Sequence, residues 1–137
     1  HPDNASMESI STYFDRHPQK LQTYLNRNKR YTFFNIVEGR IVGSLGVELV
    51  AERSIATDKQ LFPSRALSYI VTAVPYTTSK KSIPWSQFVL NQDEGGAIKG
   101  PHRIDIFWGT GSQAEYIAHH MNHPGELYFL VLKNSFN

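Results

Sequence analysis

The sequence contains no cysteine. Disulfide bonds, a catalytic thiolate and zinc sites built on cysteine are therefore excluded. It also lacks any apolar run approaching the roughly 18–20 residues that a membrane-spanning helix requires, so no transmembrane segment is predicted in this chain. A cofactor-independent domain that relies on its packing and not on covalent cross-links is expected, with no metal site.

An excess of charge of one sign is likewise missing. The 14 basic and 12 acidic residues leave a net charge of +2, and the basic residues are scattered along the chain. Nucleic-acid-binding domains concentrate lysine and arginine on one face, so no nucleic-acid partner is predicted. The 137 residues, of which 40% are apolar, suit one globular domain or one domain with a short appendage.

Helices are predicted at both ends of the chain. Apolar residues recur at helical spacing in Met7 to Arg16, and Asn4 or Ser6 is placed to cap that helix. Pro18 suits the first turn of a second short helix. A third helix is predicted from Ser112 to Asn122, where Ser112 and Glu115 have the spacing of a capping box.

The centre of the sequence has the composition of strands. Short β-branched and aromatic segments are separated by turn residues, which predicts a mainly β fold, either a barrel or a sandwich. The predicted strands are Tyr31 to Val37, Ile41 to Val50, Ser54 to Thr57, Leu67 to Val74, Gln87 to Asn91, Ile104 to Trp108 and Leu127 to Leu132.

Two motifs suggest dinucleotide binding and zinc binding, and each lacks a residue that its function requires. Residues 109–114 follow the G-x-G-x-x-A outline of a dinucleotide-binding turn, but no carboxylate lies about 20 residues further on, where such a fold needs one. A tight strand-to-helix turn is the favoured interpretation. His119 and His123 have the i, i+4 spacing of zinc ligands, but they lack the third ligand that such sites normally use.

Two aspartates flank a glycine-rich segment. A predicted strand leads into Asp93 and the glycines Gly95 and Gly96, and the chain returns through a strand that carries Asp105. A carboxyl group beside aromatic and aliphatic side chains is suited to general acid catalysis. The alternative is that both aspartates are turn and ion-pair residues, since Arg103 lies on the same strand face as Asp105. Adjacent glycines also predict a positive φ at Gly95 or Gly96.

These residues resemble a known family. The stretches Asp93-Glu94-Gly95-Gly96-Ala97-Ile98-Lys99-Gly100 and Asp105-Ile106-Phe107-Trp108-Gly109 are similar to the core motif of the membrane-bound lytic transglycosylase A family (MltA). The segment around Asp58 matches the first of the three aspartates, Asp58, Asp93 and Asp105, that name the three-aspartate (3D) domain. The lead-in at residues 6–10 and 28–34 resembles the end of the family's inserted domain. Residues 109–128 resemble the segment that follows the family's core motif.

The resemblance implies a fold and a set of partners. It implies a double-psi β-barrel, of which residues 41–133 form the C-terminal portion, preceded by a helical lead-in over 1–37. Family members are much longer, so an N-terminal segment of the same protein is expected to complete the barrel. The implied location is the periplasm, attached to the outer membrane of a Gram-negative bacterium through an anchor outside this chain.

The resemblance also implies a reaction, the non-hydrolytic cleavage of the β-1,4 bond between N-acetylmuramic acid and N-acetylglucosamine in peptidoglycan, which leaves a 1,6-anhydro ring. By position in the motif, Asp105 is the single general acid and base, and Asp93 assists it. Substrate contacts are implied for Asp58, Gly95, Gly96, Ala97, Lys99 and Trp108. The alternative is a non-catalytic peptidoglycan-binding module or an inactive fragment of the enzyme. Glu94 is not expected to be catalytic.

Overall fold

A computed structural model describes residues 6–31, 33, 36, 38–76 and 81–133. The chain divides into two compact units, residues 1–36 and residues 37–137. The first is helical and the second is mainly β. In the described residues no helix is both long and apolar enough to cross a membrane.

The first unit contains the two predicted helices, α1 (Met7–Arg16) and α2 (Pro18–Leu25). Ser6 caps α1, since its Oγ accepts the Ser9 N–H at 3.1 Å while its own N–H donates to Ser9 Oγ at 2.8 Å. This reciprocal pair satisfies two of the backbone donors that a helix start leaves open. Pro18 follows at once and begins α2, where its missing N–H costs no hydrogen bond.

The strand predicted over Tyr31 to Val37 is wrong for the part that the structure describes. Tyr31, Phe33 and Ile36 belong to no strand and are 81–98% exposed. The remaining residues of that prediction, 32, 34, 35 and 37, lie outside the described residues. Aromatic and β-branched composition favours a strand only where a neighbouring strand pairs with it, and here no pairing is formed by the described residues.

The described residues of the second unit form five strands and one helix. The strands are β1 (Ser54–Ala56), β2 (Leu67–Pro75), β3 (Ser82–Asp93), β4 (Asp105–Ile106) and β5 (Glu126–Phe129), and α3 spans Ser112–His120. They form one sheet in the order β4-β1-β3-β2-β5. The β1–β3 pair is parallel and the others are antiparallel, so the short strand β1 lies inside the sheet.

Pairing explains where the strands differ from the prediction. β3 begins at Ser82, five residues earlier than predicted, because β2 and β3 pair continuously from Leu67↔Leu90 to Pro75↔Ser82. The predicted strand at Ile41 to Val50 is instead a bent hairpin with a single bridge, Val42↔Glu48. Gly46, with φ +72°, makes its turn.

The predicted cap of α3 is wrong. The N-cap is Gly111, at φ +93°, and no side chain caps the helix. Ser112 is already the first helical residue, one position too late for its hydroxyl to act as the N-cap acceptor. The helix ends at His120, two residues before the predicted end at Asn122.

The apolar core lies on one face of the sheet. Ile55, Ile70 and Val89 are buried there, and Trp85, Ile104, Ile106 and Leu127 pack against them. The other face of β2 and β3 carries apolar side chains that remain 37–50% exposed, namely Leu67, Val71, Phe88 and Leu90. The strands of the described residues form an open sheet, so the double-psi barrel that the resemblance implies is not closed by them.

Candidate active site

Asp93 and Asp105 flank the same residue of the inner strand β1. Ala56 on β1 pairs with Asp93 on β3 and, on its other side, with Asp105 on β4. Adjacent strands are about 4.8 Å apart, so two strand spacings, roughly 10 Å, separate the two aspartate backbones. Both side chains line one cavity of about 180 Å³, together with Leu49, Ser54, Ala56, Ile106 and Phe107.

An irregularity in the ladder directs Asp93 to this cavity. Ile55 pairs with Asn91, but the next residue, Ala56, pairs with Asp93, so the register shifts at Gln92. In a regular strand Asn91 and Asp93 share a face. The Asp93 side chain would then lie on the same face of the sheet as Ile55, which is the face that carries the apolar core. A bulge redirects side chains in this way and is frequent beside active sites.

A distant hairpin contacts the Asp93 carboxylate. The backbone N–H of Ser44 donates to Asp93 Oδ1 at 2.8 Å. The hairpin approaches closely because residue 43 is glycine, where an added Cβ would lie 2.8 Å from the Gln92 carbonyl oxygen and 3.4 Å from Asp93 Cβ. Asp93 is therefore held from outside the sheet as well as by its own strand.

Asp105 is paired with Arg103. The guanidinium donates from Nε to Oδ1 at 3.0 Å and from Nη2 to Oδ2 at 3.1 Å, so both carboxylate oxygens are engaged. The hydrogen bond, followed by the charge of Asp105, raises the pKa of Arg103 above its usual value. The ion pair that the sequence offered as the alternative to catalysis is present, and both of its side chains are about half exposed.

A larger groove adjoins the first cavity at Asp105. It has a volume of about 630 Å³, and Asp105 and Ile106 line both spaces. Trp108 lines the groove and also packs against Trp85, with ring centroids 5.3 Å apart. Besides Asp105, its polar lining consists of His102, Arg103, Asn122 and His123. A carboxylate beside an aromatic side chain in an open groove is an arrangement that suits an oligosaccharide.

The glycine-rich loop differs from its prediction. Neither Gly95 nor Gly96 has a positive φ; that conformation occurs instead at Gly100, with φ +83°. Residues 95–98 form a turn closed by the Ile98 N–H and the Gly95 carbonyl at 2.9 Å. Gly95 is needed for space, since an added Cβ would lie 2.9 Å from Cδ1 of the buried Ile98, whereas Gly96 faces open space.

Asp58 is buried and fastens this loop to the end of β1. Its Oδ2 accepts the Gly100 N–H at 2.9 Å and its Oδ1 accepts the Gln60 N–H at 3.0 Å. The hydrogen bond from Gly100, then that from Gln60, lowers the pKa of Asp58, assisted by the charge of Lys99. The neighbouring ion pair between Lys59 and Glu94, at 2.7 Å, holds the same loop.

The remaining predicted contacts lie on the loop surface. Ala97 and Lys99 are exposed. The Ala97 carbonyl accepts a hydrogen bond from Arg103 Nη1 at 3.3 Å, which connects the loop to Asp105 through one side chain. The structure thus gathers Asp93, Asp105 and Trp108 around two adjoining spaces, while Asp58 lies behind the loop.

The G-x-G-x-x-A segment and the histidine pair adopt local structures unlike those of a dinucleotide or zinc site. Gly109 and Gly111 have φ of +88° and +93° and turn the chain from β4 into α3, as the favoured interpretation stated. His123 lies beyond the end of α3, and its Nε2 is 2.5 Å from Ser82 Oγ. His119 and His123 therefore do not share a helical face.

Comparison with known proteins decides the family. Residues 53–131 match the family profile described as "3D domain", and residues 1–35 match "MltA specific insert domain". The chain belongs to the MltA family. It is 30% identical over 117 residues to the membrane-bound lytic murein transglycosylase A of Vibrio cholerae.

Solved MltA structures resemble this chain over most of its length. MltA from Neisseria gonorrhoeae is 35% identical with a TM-score of 0.76, and the match covers 96% of this chain. E. coli MltA with bound chitohexaose is 27% identical with a TM-score of 0.53 over 66% of this chain. The chain spans 30% of the Vibrio protein, 33% of the Neisseria structure and 28% of the E. coli structure.

Sequence reasoning missed two parts of this candidate site. The Ser44 amide reaches Asp93 across 49 residues, and a backbone donor leaves no trace in residue type. His102 and His123 line the groove beside Asp105, although they are separated in sequence. For the contact between the Ser44 amide and Asp93 the sequence contains one signal, Gly43, because a glycine inside an apolar strand pattern often marks a close backbone approach.

Proposed function

We propose that this chain is the acid-bearing part of a lytic transglycosylase, which cleaves the β-1,4 bond between N-acetylmuramic acid and N-acetylglucosamine in peptidoglycan. The observation that carries the proposal is the placement of Asp93 and Asp105 on either side of Ala56, above one cavity. Membership in the MltA family and the oligosaccharide bound by the E. coli relative support the substrate class.

In the proposed reaction the C6 hydroxyl oxygen of the muramic residue bonds to C1 of the same sugar. The bond from C1 to the leaving glycosidic oxygen breaks, and Asp105 gives its proton to that oxygen. Asp105 then takes the proton of the C6 hydroxyl and returns to its starting state. The products are a 1,6-anhydro ring and a free 4-hydroxyl, and no water is consumed.

One carboxyl group suffices for this chemistry. Ordinary glycosidases need a second carboxylate to activate water or to attack the sugar, whereas here the nucleophile belongs to the substrate and is held close to C1. Asp105 is the better candidate for the proton carrier because it opens both to the cavity and to the large groove. Asp93, held by the Ser44 amide, orients polar groups of the sugar.

Substrate contacts are assigned along the groove and the loop. Trp108 provides an apolar surface for a sugar ring, and the exposed Lys99 is placed to meet anionic lactyl or peptide groups. The backbone of Gly95, Gly96 and Ala97 supplies hydrogen bonds to the glycan. For Asp58 the geometry favours an indirect contribution, because both of its oxygens already accept backbone N–H groups.

The barrel is proposed to be completed by an N-terminal segment of the same protein. The exposed apolar face of β2 and β3 offers that segment a packing surface, since Leu67 pairs with Leu90 and Tyr69 with Phe88 across it. The sheet ends in the short strands β4 and β5, whose open edges can pair with further strands. A double-psi β-barrel is the closed form that we propose.

The place of action follows from the proposed substrate. Peptidoglycan lies in the periplasm of Gram-negative bacteria, and the Vibrio relative is named as membrane-bound. We therefore assign the protein to the periplasm, attached to the outer membrane through a part outside this chain.

A non-catalytic peptidoglycan-binding module is the second candidate. The ion pair between Arg103 and Asp105 favours it, because a carboxylate engaged on both oxygens carries no proton to donate. The two functions differ in product: the enzyme releases 1,6-anhydro-muropeptides from purified sacculi, whereas the module binds sacculi without releasing any.

Asp105→Asn tests the proposal. The variant keeps the shape of the side chain but cannot carry the proton, and general acid–base catalysis typically contributes about 10²–10⁴-fold, so anhydro-product formation should fall at least a hundredfold. The assay is mass spectrometry of sacculus digests by the complete protein that contains this chain, and binding to sacculi should persist. Wild-type amounts of product from the variant would remove Asp105 from the reaction, and a wild type that binds without product would favour the module.

A further inference from the structure

Arg103 connects the proposed acid to the glycine-rich loop. Its Nε and Nη2 occupy both oxygens of Asp105, at 3.0 and 3.1 Å, and its Nη1 reaches the Ala97 carbonyl at 3.3 Å. A guanidinium presents its donors in a rigid plane, so a two-point contact fixes the orientation of the carboxylate as well as its position. Asp105 is thereby aligned with a loop that is proposed to touch the glycan.

This contact is incompatible with acid catalysis in its present form. A general acid has to carry a proton and reach the leaving oxygen, whereas a carboxylate bound on both oxygens by a cation is ionised and occupied. A glycan that reacts at Asp105 therefore has to find the carboxylate in a different arrangement from the one described.

We propose that Arg103 is a positioning residue that holds Asp105 ionised and aligned in the free protein and yields one of its oxygens when the glycan binds. The inference rests on the proposed function. The released oxygen takes up one proton from solvent, which makes Asp105 the acid that the reaction needs, and the carboxyl group returns that proton to solvent after product leaves. During this exchange the bond to the Ala97 carbonyl keeps Arg103 beside the loop, so the guanidinium remains close enough to bind the carboxylate again.

The surroundings allow the exchange. Arg103 and Asp105 are 52% and 48% exposed, so opening the pair strands neither charge in an apolar interior, and exposed ion pairs contribute little to stability. Both side chains line the 630 Å³ groove together with Trp108, which is where a glycan would meet them.

Other titratable groups line the two spaces that Asp105 borders. Asp93 lines the small cavity, and His102 and His123 line the groove. His123 Nε2 lies beside Ser82 Oγ. Within the described part of the chain, Arg103 is the cation that hydrogen-bonds Asp105, so removing it acts directly on the orientation of that carboxylate.

The test compares Arg103→Gln with Arg103→Lys in the complete protein that contains this chain, with kcat and KM measured separately on purified sacculi. The kcat should fall in Arg103→Gln because the carboxylate loses its alignment, with a smaller change in KM. Arg103→Lys retains the charge but loses the fork that fixes the orientation of the carboxylate, so its kcat should fall as well.

Two further variants isolate the contact with Asp105. Arg65→Gln removes the same charge from an exposed arginine and should leave kcat and KM unchanged. Lys59→Gln breaks the other ion pair of the loop, with Glu94, and should lower kcat less than Arg103→Gln does. Circular dichroism verifies that each variant folds, and Arg103→Lys serves as the test where Arg103→Gln does not fold.

The possible results separate the two proposals. An unchanged kcat in Arg103→Gln, or a wild-type kcat in Arg103→Lys, would overturn the positioning role. If Asp105→Asn is inactive in the same experiments, the proposed function stands without it. If Asp105→Asn forms anhydro product at the wild-type rate, the proposed function itself fails.

Discussion

The carboxylate of Asp58 and the backbone N–H of Gly100 meet at 2.9 Å, although 42 residues separate them in the sequence. Asp58 follows the inner strand β1, and Gly100 ends the loop that begins at Asp93. This bond closes the loop over the end of the strand, and Gly100 has the left-handed φ of +83° at the same point.

The first prediction concerns acid stability. The hydrogen bonds from Gly100 and Gln60 lower the pKa of Asp58, so the folded state resists protonation of this group more than the unfolded state does. Its stabilising contribution is complete above the ordinary carboxyl pKa of about 4 and is lost as the pH falls through the lowered value. Asp58→Asn should therefore weaken the fall of the thermal midpoint below about pH 4, measured by circular dichroism.

Asp15→Asn is the matched control for this prediction, because Asp15 is exposed on α1 and its loss changes the net charge equally. It should keep the acid sensitivity of the wild type. The same acid sensitivity in Asp58→Asn would show that Asp58 does not fasten the loop.

The second prediction concerns the hairpin that contacts Asp93. In Gly43→Ala the new methyl group would lie 2.7 Å from Leu49 Cδ2 and 2.8 Å from the Gln92 carbonyl oxygen. The Gln92 carbonyl is part of the backbone and cannot move aside as the end of a side chain can, so the free energy of unfolding should fall by about 1–3 kcal/mol. Urea denaturation measures it. Gly96→Ala, whose Cβ meets open space, should be neutral or stabilising by up to about 1 kcal/mol, and an equal loss in both variants would contradict the prediction.

A third prediction tests the start of the helical unit. Ser6→Ala removes the side chain that accepts the Ser9 N–H and should cost that helix about 1 kcal/mol. Ser11→Ala lies inside α1, where alanine is the better helix former, and should preserve or increase helicity. Far-ultraviolet circular dichroism of the two variants gives the comparison, and helicity undiminished in Ser6→Ala would mean that the cap contributes nothing.

The fourth prediction addresses the exposed apolar face of the sheet. Phe88 is 50% exposed there and pairs with Tyr69. If an N-terminal segment completes the barrel as proposed, Phe88→Asp should prevent it from associating with the chain when the two are mixed, because a buried charge without a partner is strongly unfavourable. Analytical ultracentrifugation measures the association. Leu61→Asp replaces another exposed apolar residue, 55% exposed, outside β2 and β3 and should associate normally. Association of Phe88→Asp at wild-type strength would place the segment elsewhere.

Local signals in the sequence predicted much of the fold. The periodicity of Met7 to Arg16 and the position of Pro18 gave the bounds of α1 and the start of α2, since capping and helical spacing act within a few residues. The failure at Tyr31 to Val37 and the early start of β3 have one cause. Whether such a segment becomes a strand depends on a partner strand that lies elsewhere in the chain.

In the candidate site, too, local features were predictable from the sequence and features that depend on packing were not. The glycine-aspartate motif identified Asp93 and Asp105 as a pair, and strand alternation placed Arg103 beside Asp105, which the structure shows as an ion pair. The expected positive φ at Gly95 or Gly96 is wrong because the demand there is for space beside Ile98, a contact that depends on how the turn packs. The bulge at Gln92 was not foreseeable either, since it exists only in relation to β1.

The three-residue strand β1 determines when the site can exist during folding. Ala56 aligns Asp93 and Asp105, and Asp58 closes the loop, yet the contacts that fix them reach across 42 and 49 residues. Such long-range contacts form late, because their loop-closure entropy must be met before they stabilise anything. The carboxylate arrangement therefore requires that β1 is paired with both β3 and β4, so partial unfolding that releases β1 should separate Asp93 from Asp105.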